Sequence, residues 1–174
     1  MNSQPSTSRR FDHRLAVVAA LLIGGVTASL LAVGGDKAMY VGGTLTGLKE
    51  KTEGRLVTTS ESVLTFDAGS NGSATIPYAT VTSLEYGQKA GRRVGVAIMV
   101  SPLALFSKKR NHFLTLAYTD SAGKEQAAVF ELGKDIVRTT LKILEVRTKH
   151  EIQFQDVEAC KQFRTPKECE APKS

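Results

Sequence analysis

The sequence predicts a mainly β fold of the α+β class. It is a strongly bent antiparallel sheet, or open barrel, of about seven strands closed by a C-terminal amphipathic helix. Three observations carry this expectation. Short runs rich in β-branched and aromatic residues recur from Lys37 to Gly133, mostly separated by hairpin-length turns. From Lys134 the apolar residues switch to helical spacing. The chain of 174 residues has no Trp and 6% aromatics, which allows one domain with a core of Val, Leu, Ile and Ala.

Taken in order, "KAMYVGGTL" opens the strands at Lys37. "GRLVTTS" and "SVLTFDA" follow, joined through the tight "SES" turn. "GSNG" at 69–72 is a turn signal, and "SATIPYATVTSLEYG" holds two strands with Pro77 marking an edge or a break. Val81, Leu84 and Tyr86 are expected to share a face. "HFLTLAYTD" alternates through Phe113 or Leu114, then Leu116 and Tyr118, turns at "SAGK" and returns as "EQAAVFELG". In "KDIVRTTLKILEVRTK", Ile136, Val137, Thr140, Leu141 and Leu144 form one stripe, with Lys134, Arg138, Lys142, Glu145 and Lys149 opposite. "HEIQFQD" adds a short strand, and residues 156–174 read as a polar tail. The single β domain therefore runs over 36–155.

Residues 1–35 read as a signal peptide or an N-terminal signal-anchor. Arg9, Arg10 and Arg14 precede nineteen uncharged residues, Leu15–Val33. As a helix that run reaches about 28 Å, close to one hydrocarbon core. Ala32 and Gly34, or Val26 to Ala28, offer small residues for cleavage. Either form leaves the cations in the cytoplasm and exports the bulk of the chain, to be membrane-anchored or secreted. The net charge of +6 loses three Arg and one Asp with residues 1–34, so the remainder carries +4. Cys160 and Cys169 are the only cysteines. An even pair in an exported chain reads as one disulfide, with two free thiols as the alternative.

The segment "GRRVGVAIMVSPLALFSKKRNH" lies within an insert at 88–111, between the fifth and sixth strands. Arg92, Arg93, Lys108, Lys109 and Arg110 bracket fourteen uncharged residues, Val94–Ser107. Val94, Val96, Ile98, Met99, Val100, Leu103, Leu105 and Phe106 supply the apolar surface, with Ser101-Pro102 as a turn. Three readings stand: a hairpin folded onto the core, an interfacial contact with anionic lipid, or a contact with a protein partner. Fourteen residues are too few to cross a bilayer as a straight helix.

The order of elements over roughly 38–148 resembles the pleckstrin-homology-like superfold, including its bacterial and GRAM-type relatives. The resemblance rests on that order and on no diagnostic motif. It implies a curled sheet capped by the last helix. The chain departs from it in lacking a Trp in the helix, in the strand after the helix and in the long insert. The family's phosphoinositide site does not carry over, because Lys49 and Lys51 are offset by Glu50 and Glu53.

Catalytic signatures are missing from the sequence. His13, His112 and His150 are scattered, with no HExxH spacing, so no metal site is expected. No GxSxG, P-loop or GxGxxG follows a strand, and "GQKAGRR" lacks the Lys-Ser/Thr of a phosphate loop. Asn71-Gly72-Ser73 matches a glycosylation acceptor but is explained by its turn. No cofactor is expected. Nucleic acid is an unexpected partner, since base-stacking aromatics do not interleave with the cations. An enzyme would need groups converging near His112, Tyr86 and Tyr118. The reading is a non-enzymatic module contacting membrane or protein through residues 92–110, or a self-assembly protein that oligomerises through the same hairpin.

Overall fold

A computed structural model describes residues 37–89 and 111–170. The N-terminal segment and the proposed contact residues Arg92, Arg93, Val94, Val96, Ile98, Met99, Leu103, Leu105, Phe106, Lys108, Lys109 and Arg110 lie outside the described residues. Eight strands form one sheet: β1 (Lys37–Gly43), β2 (Thr52–Val57), β3 (Val63–Asp67), β4 (Ser73–Pro77), β5 (Val81–Gly87), β6 (His112–Thr119), β7 (Glu125–Leu132) and β8 (Ile152–Phe154). Helix α1 (Val137–Thr148) precedes β8, and α2 (Val157–Lys161) and α3 (Pro166–Glu170) follow it.

The sheet order is β4-β3-β2-β1-β7-β6-β5-β8. Two antiparallel meanders, β1 to β4 and β5 to β7, meet at the β1–β7 pair. β8 adds a parallel edge against β5. The fold is thus mainly β, but the sheet is mixed and open, with β4 and β8 as its edges.

A register irregularity between Val81 and Ser83 explains why Val81, Leu84 and Tyr86 are all buried in the main core. One extra residue shifts the side-chain alternation, so a spacing of three and then two stays on one face. A second irregularity lies between Tyr40 and Gly42 of β1. A Cβ at the neighbouring Gly43 would strike the Ala127 carbonyl, and its φ of 132° already disfavours other residues.

Tyr40, Phe66 and Phe130 centre the core, with ring centroids 5.2 to 6.4 Å apart. Helix α1 buries Val137, Thr140, Leu141 and Leu144 against the same core. Arg147, near its end, donates to the carbonyls of Thr58 and Ser60 and lies over the Tyr78 ring. That contact ties the helix to the β2–β3 turn. A separate cluster of Val41, Phe113 and Val129, with Met39, lies outside the main core.

Residues 156–170 are more structured than their polar composition suggests. Asp156 caps α2 by accepting from the Ala159 N–H at 2.7 Å. Ala159 is fully buried in the core. Cys160 and Cys169 form a disulfide, with Cα atoms 5.7 Å apart. Arg164 pairs with Glu145 of α1 and lies over the rings of Phe154 and Phe163. These contacts bind the segment to α1 and β8.

Helix α1 ends on Lys149, which adopts a left-handed conformation (φ 59°) and donates its N–H to the Glu145 carbonyl. A side chain at that conformation is strained, and glycine is not. Lys149→Gly is therefore expected to raise stability by about 1 kcal/mol in chemical denaturation. A loss of stability would show that the Lys149 side chain stabilises the cap by more than its backbone costs.

Candidate functional site

The register sets the roots of the basic-flanked segment at one end of the sheet. Ala38 faces Leu132, Leu132 faces His112, and Gly87 faces Phe113. At about 4.8 Å per strand, Gly87 and Phe113 are neighbours, and β1 begins on the order of 14 Å away. The start of β1, the end of β5 and the start of β6 therefore share one end of the sheet.

Both roots are held by the C-terminal region. Gln155 clasps the outgoing root. Its amide nitrogen donates to the Glu85 carboxylate at 2.7 Å and to the Lys89 carbonyl at 2.5 Å. Its amide oxygen accepts from the Lys89 N–H at 3.1 Å, and its own N–H donates to the Tyr86 carbonyl. A Cβ at Gly87 would collide with the Gln155 side chain, so glycine admits the clasp. Glu85 is 4% exposed, and its Oε2 has no hydrogen-bond partner among the described residues.

Tyr86 and Gln162 hold the returning root. The Tyr86 hydroxyl lies 2.6 Å from His112 Nδ1 and 2.8 Å from Gln162 Oε1. One hydroxyl hydrogen cannot serve both. If it goes to Gln162 Oε1, the Nδ1–H of His112 donates to the phenol oxygen, which fixes the tautomer. The Tyr86 and His112 rings are parallel within 8°, and Phe154 packs edge-on against Tyr86. Burial pushes the Tyr86 hydroxyl up to about 12 and holds the His112 imidazole below its ordinary value.

Gln155 and Gln162 are absent from the residues that sequence spacing singles out. Their amides carry no periodicity and no motif. Tyr118, grouped with His112 and Tyr86 by sequence, lies at the opposite end, where its register partners are Val81 and Gln126. There it lines a cleft of about 640 Å³ with Thr44, Leu45, Thr75, Lys124 and Gln126. The Tyr86 hydroxyl bridges His112 and the Gln162 amide, so these three side chains latch β5, β6 and the C-terminal region together. Among the described residues no group of three His, Cys, Asp or Glu is placed to hold a metal ion. No described helix is long and apolar enough to cross a membrane.

Comparison with protein-family models, with curated proteins and with solved structures gives no match in any of the three.

The latch gives stability a pH dependence of known sign. His112 has a folded pKa below its ordinary 6.5, so the unfolded chain takes the proton first. Stability is full above that value and falls as pH drops through it toward the folded pKa. Tyr86 has a folded pKa above its ordinary 10.0, so stability falls again as pH rises from 10 toward about 12. His112→Gln is expected to flatten the acid limb and leave the alkaline limb, measured by urea midpoints across pH. An unchanged acid limb would assign it to other groups.

The disulfide closes a loop of nine residues in separation. A loop of that size contributes about 3 kcal/mol by chain entropy. Reduction is expected to lower stability by up to that amount and to loosen Gln162, which lies inside the loop. Exchange-broadened His112 ring signals in the reduced protein would report the loosening; unchanged signals would separate the latch from the bridge.

Proposed function

We propose that this protein is an exported, non-enzymatic binding module that meets a membrane with the Lys37, Gly87 and His112 end of its sheet. Residues 92–110 form the contact, and anionic lipid is the partner. The observation that carries the reading is the shared end. The basic-flanked segment and the start of β1, which follows the apolar Leu15–Val33 run, both attach there. A tether at Lys37 attaches to the same end of the sheet as the segment.

Charge and composition support the same arrangement. Five cations flank Val94–Ser107 on both sides. Each Lys or Arg near an anionic surface contributes about 1 kcal/mol, and burial of each large apolar side chain adds about 1.5 to 3. The disulfide fits an oxidising, non-cytoplasmic compartment. That compartment is the periplasm or cell exterior, reached through residues 1–35 as a signal peptide or retained anchor. The strand order 4-3-2-1-7-6-5, followed by a helix on the core, supports a pleckstrin-homology-like relationship. On that reading the contact lies in the insert rather than in the first hairpin.

A chain beginning at Asp36 is expected to sediment with vesicles containing phosphatidylserine and less with vesicles of phosphatidylcholine alone. Changing Arg92 and Arg93 to Gln removes about 2 kcal/mol, or roughly thirtyfold in affinity. Changing Ile98, Met99 and Leu103 to Ser is expected to abolish sedimentation. Equal partitioning of that triple variant would rule out the segment as the contact. A discrete oligomer that persists in detergent and is lost in the same variant would instead favour self-assembly.

A further inference from the structure

Helix α1 lies across the end of the sheet that holds Lys37, Gly87 and His112. Gly133, which joins β7 to α1, donates its N–H to the Lys37 carbonyl at 3.0 Å. At the other terminus, Arg147 donates to the carbonyls of Thr58 and Ser60. Those residues follow β2 just beyond Arg55, the register partner of Lys37. The helix is thus fastened to this end at both of its termini. Val137, Leu141 and Leu144 enter the core, so the opposite side of α1 looks out of the same end.

That outward side is basic. Arg138, Lys142, Val146 and Lys149 follow one another at spacings of four, four and three, which sets them in one line. All four are exposed, and the line is about 16 Å long. Among the described residues none of the three cations is in an ion pair. Arg138 donates to the Gln162 carbonyl, which is neutral and leaves its charge uncancelled. Glu145 borders the line, but its carboxylate is taken by Arg164 and the Ile152 N–H. The exposed acids Asp135 and Glu151 lie outside the helix, before and after it.

Two further features belong to this line. Val146 is 71% exposed and sits between two cations, as an apolar group suited to a headgroup layer would. Lys149 holds a left-handed backbone (φ 59°) that glycine would adopt without strain. Strain of this kind gathers at binding surfaces, where the side chain has a use beyond the fold. Here the strained position keeps a cation at the end of the line.

We infer that the outward face of α1, along Arg138, Lys142, Val146 and Lys149, is a second contact with the anionic bilayer. The inference rests on the bilayer reading above and adds an area of the folded domain to the same surface. Two separated contacts fix the tilt of the domain on the membrane, which one contact leaves free. Each cation near an anionic surface changes affinity by about fivefold.

The test places a nitroxide label on the intact chain in bilayer nanodiscs of phosphatidylcholine with and without phosphatidylserine. The native cysteines are joined in the disulfide, so Val146→Cys supplies the labelling site. Labels at Ile98→Cys and Ser121→Cys report the 92–110 segment and the exposed β6–β7 turn. With phosphatidylserine, the label at 146 is expected to lose collisions with an aqueous nickel chelate and gain them with oxygen, while the label at 121 does not change. Lys142→Gln combined with Lys149→Gln, both at exposed positions, is expected to shift the docked-to-free ratio about thirtyfold toward free. A label that stays aqueous at 146 while the one at 98 is shielded overturns the inference and leaves the segment contact standing. Shielding at 146 with an aqueous label at 98 supports the helix face and removes the segment. Equal shielding in both lipid mixtures, or shielding unchanged by the double substitution, overturns the inference as well.

Discussion

The pairing of β1 with β7 is the constraint on which the rest of the molecule depends. Ala38 faces Leu132, and Gly43 faces Ala128, across some ninety residues of chain. Closing so long a loop costs entropy before any contact offsets it. The compensation is concentrated at the same place. Tyr40 and Phe130 face one another and pack with Phe66, and such aromatic pairs add about 0.5 to 1.5 kcal/mol beyond their buried area. Thr44 extends the junction with bonds to both backbone groups of Ala127. Without this junction the two meanders would be separate hairpin stacks, each with an apolar face open to water.

The same junction sets which elements share each end of the sheet. It aligns the starts of β1 and β6 with the ends of β5 and β7, which brings the chain's entry point beside both roots of the 90–110 segment. It also sends the β6–β7 turn to the far end, where it closes the cleft beside β4. From the C-terminal region, Gln155 and Gln162 reach the first end. Gln155 and Gln162 are seven residues apart, yet they hold roots separated by more than twenty residues of sequence.

Much of this architecture was legible because periodicity records burial. The stripe of Val137, Leu141 and Leu144 is visible in sequence, and it is the buried face of α1. Val81, Leu84 and Tyr86 could be grouped by hydrophobicity, although their uneven spacing makes sense only with the register shift beside Ser83. β2 begins at Thr52 rather than Gly54, because its partner Tyr40 on β1 sets its start. The latch was not legible. Tyr86 reads as one more core aromatic, and Gln162 as one residue of a charged tail. What unites them is the parallel β8, a three-residue strand that carries the tail to β5. Pairing of that kind depends on tertiary position, which no local pattern encodes.

That parallel strand has a consequence for synthesis. β5 and β6 emerge early, but the outer rim of β5 waits for residues 152–154, after α1 has been made. A nascent chain leaves this rim without its parallel strand until residues 152–154 have been made. The interval closes when β8 pairs with β5, and the disulfide fixes the segment that follows. Oxidation then records that the rim has been sealed.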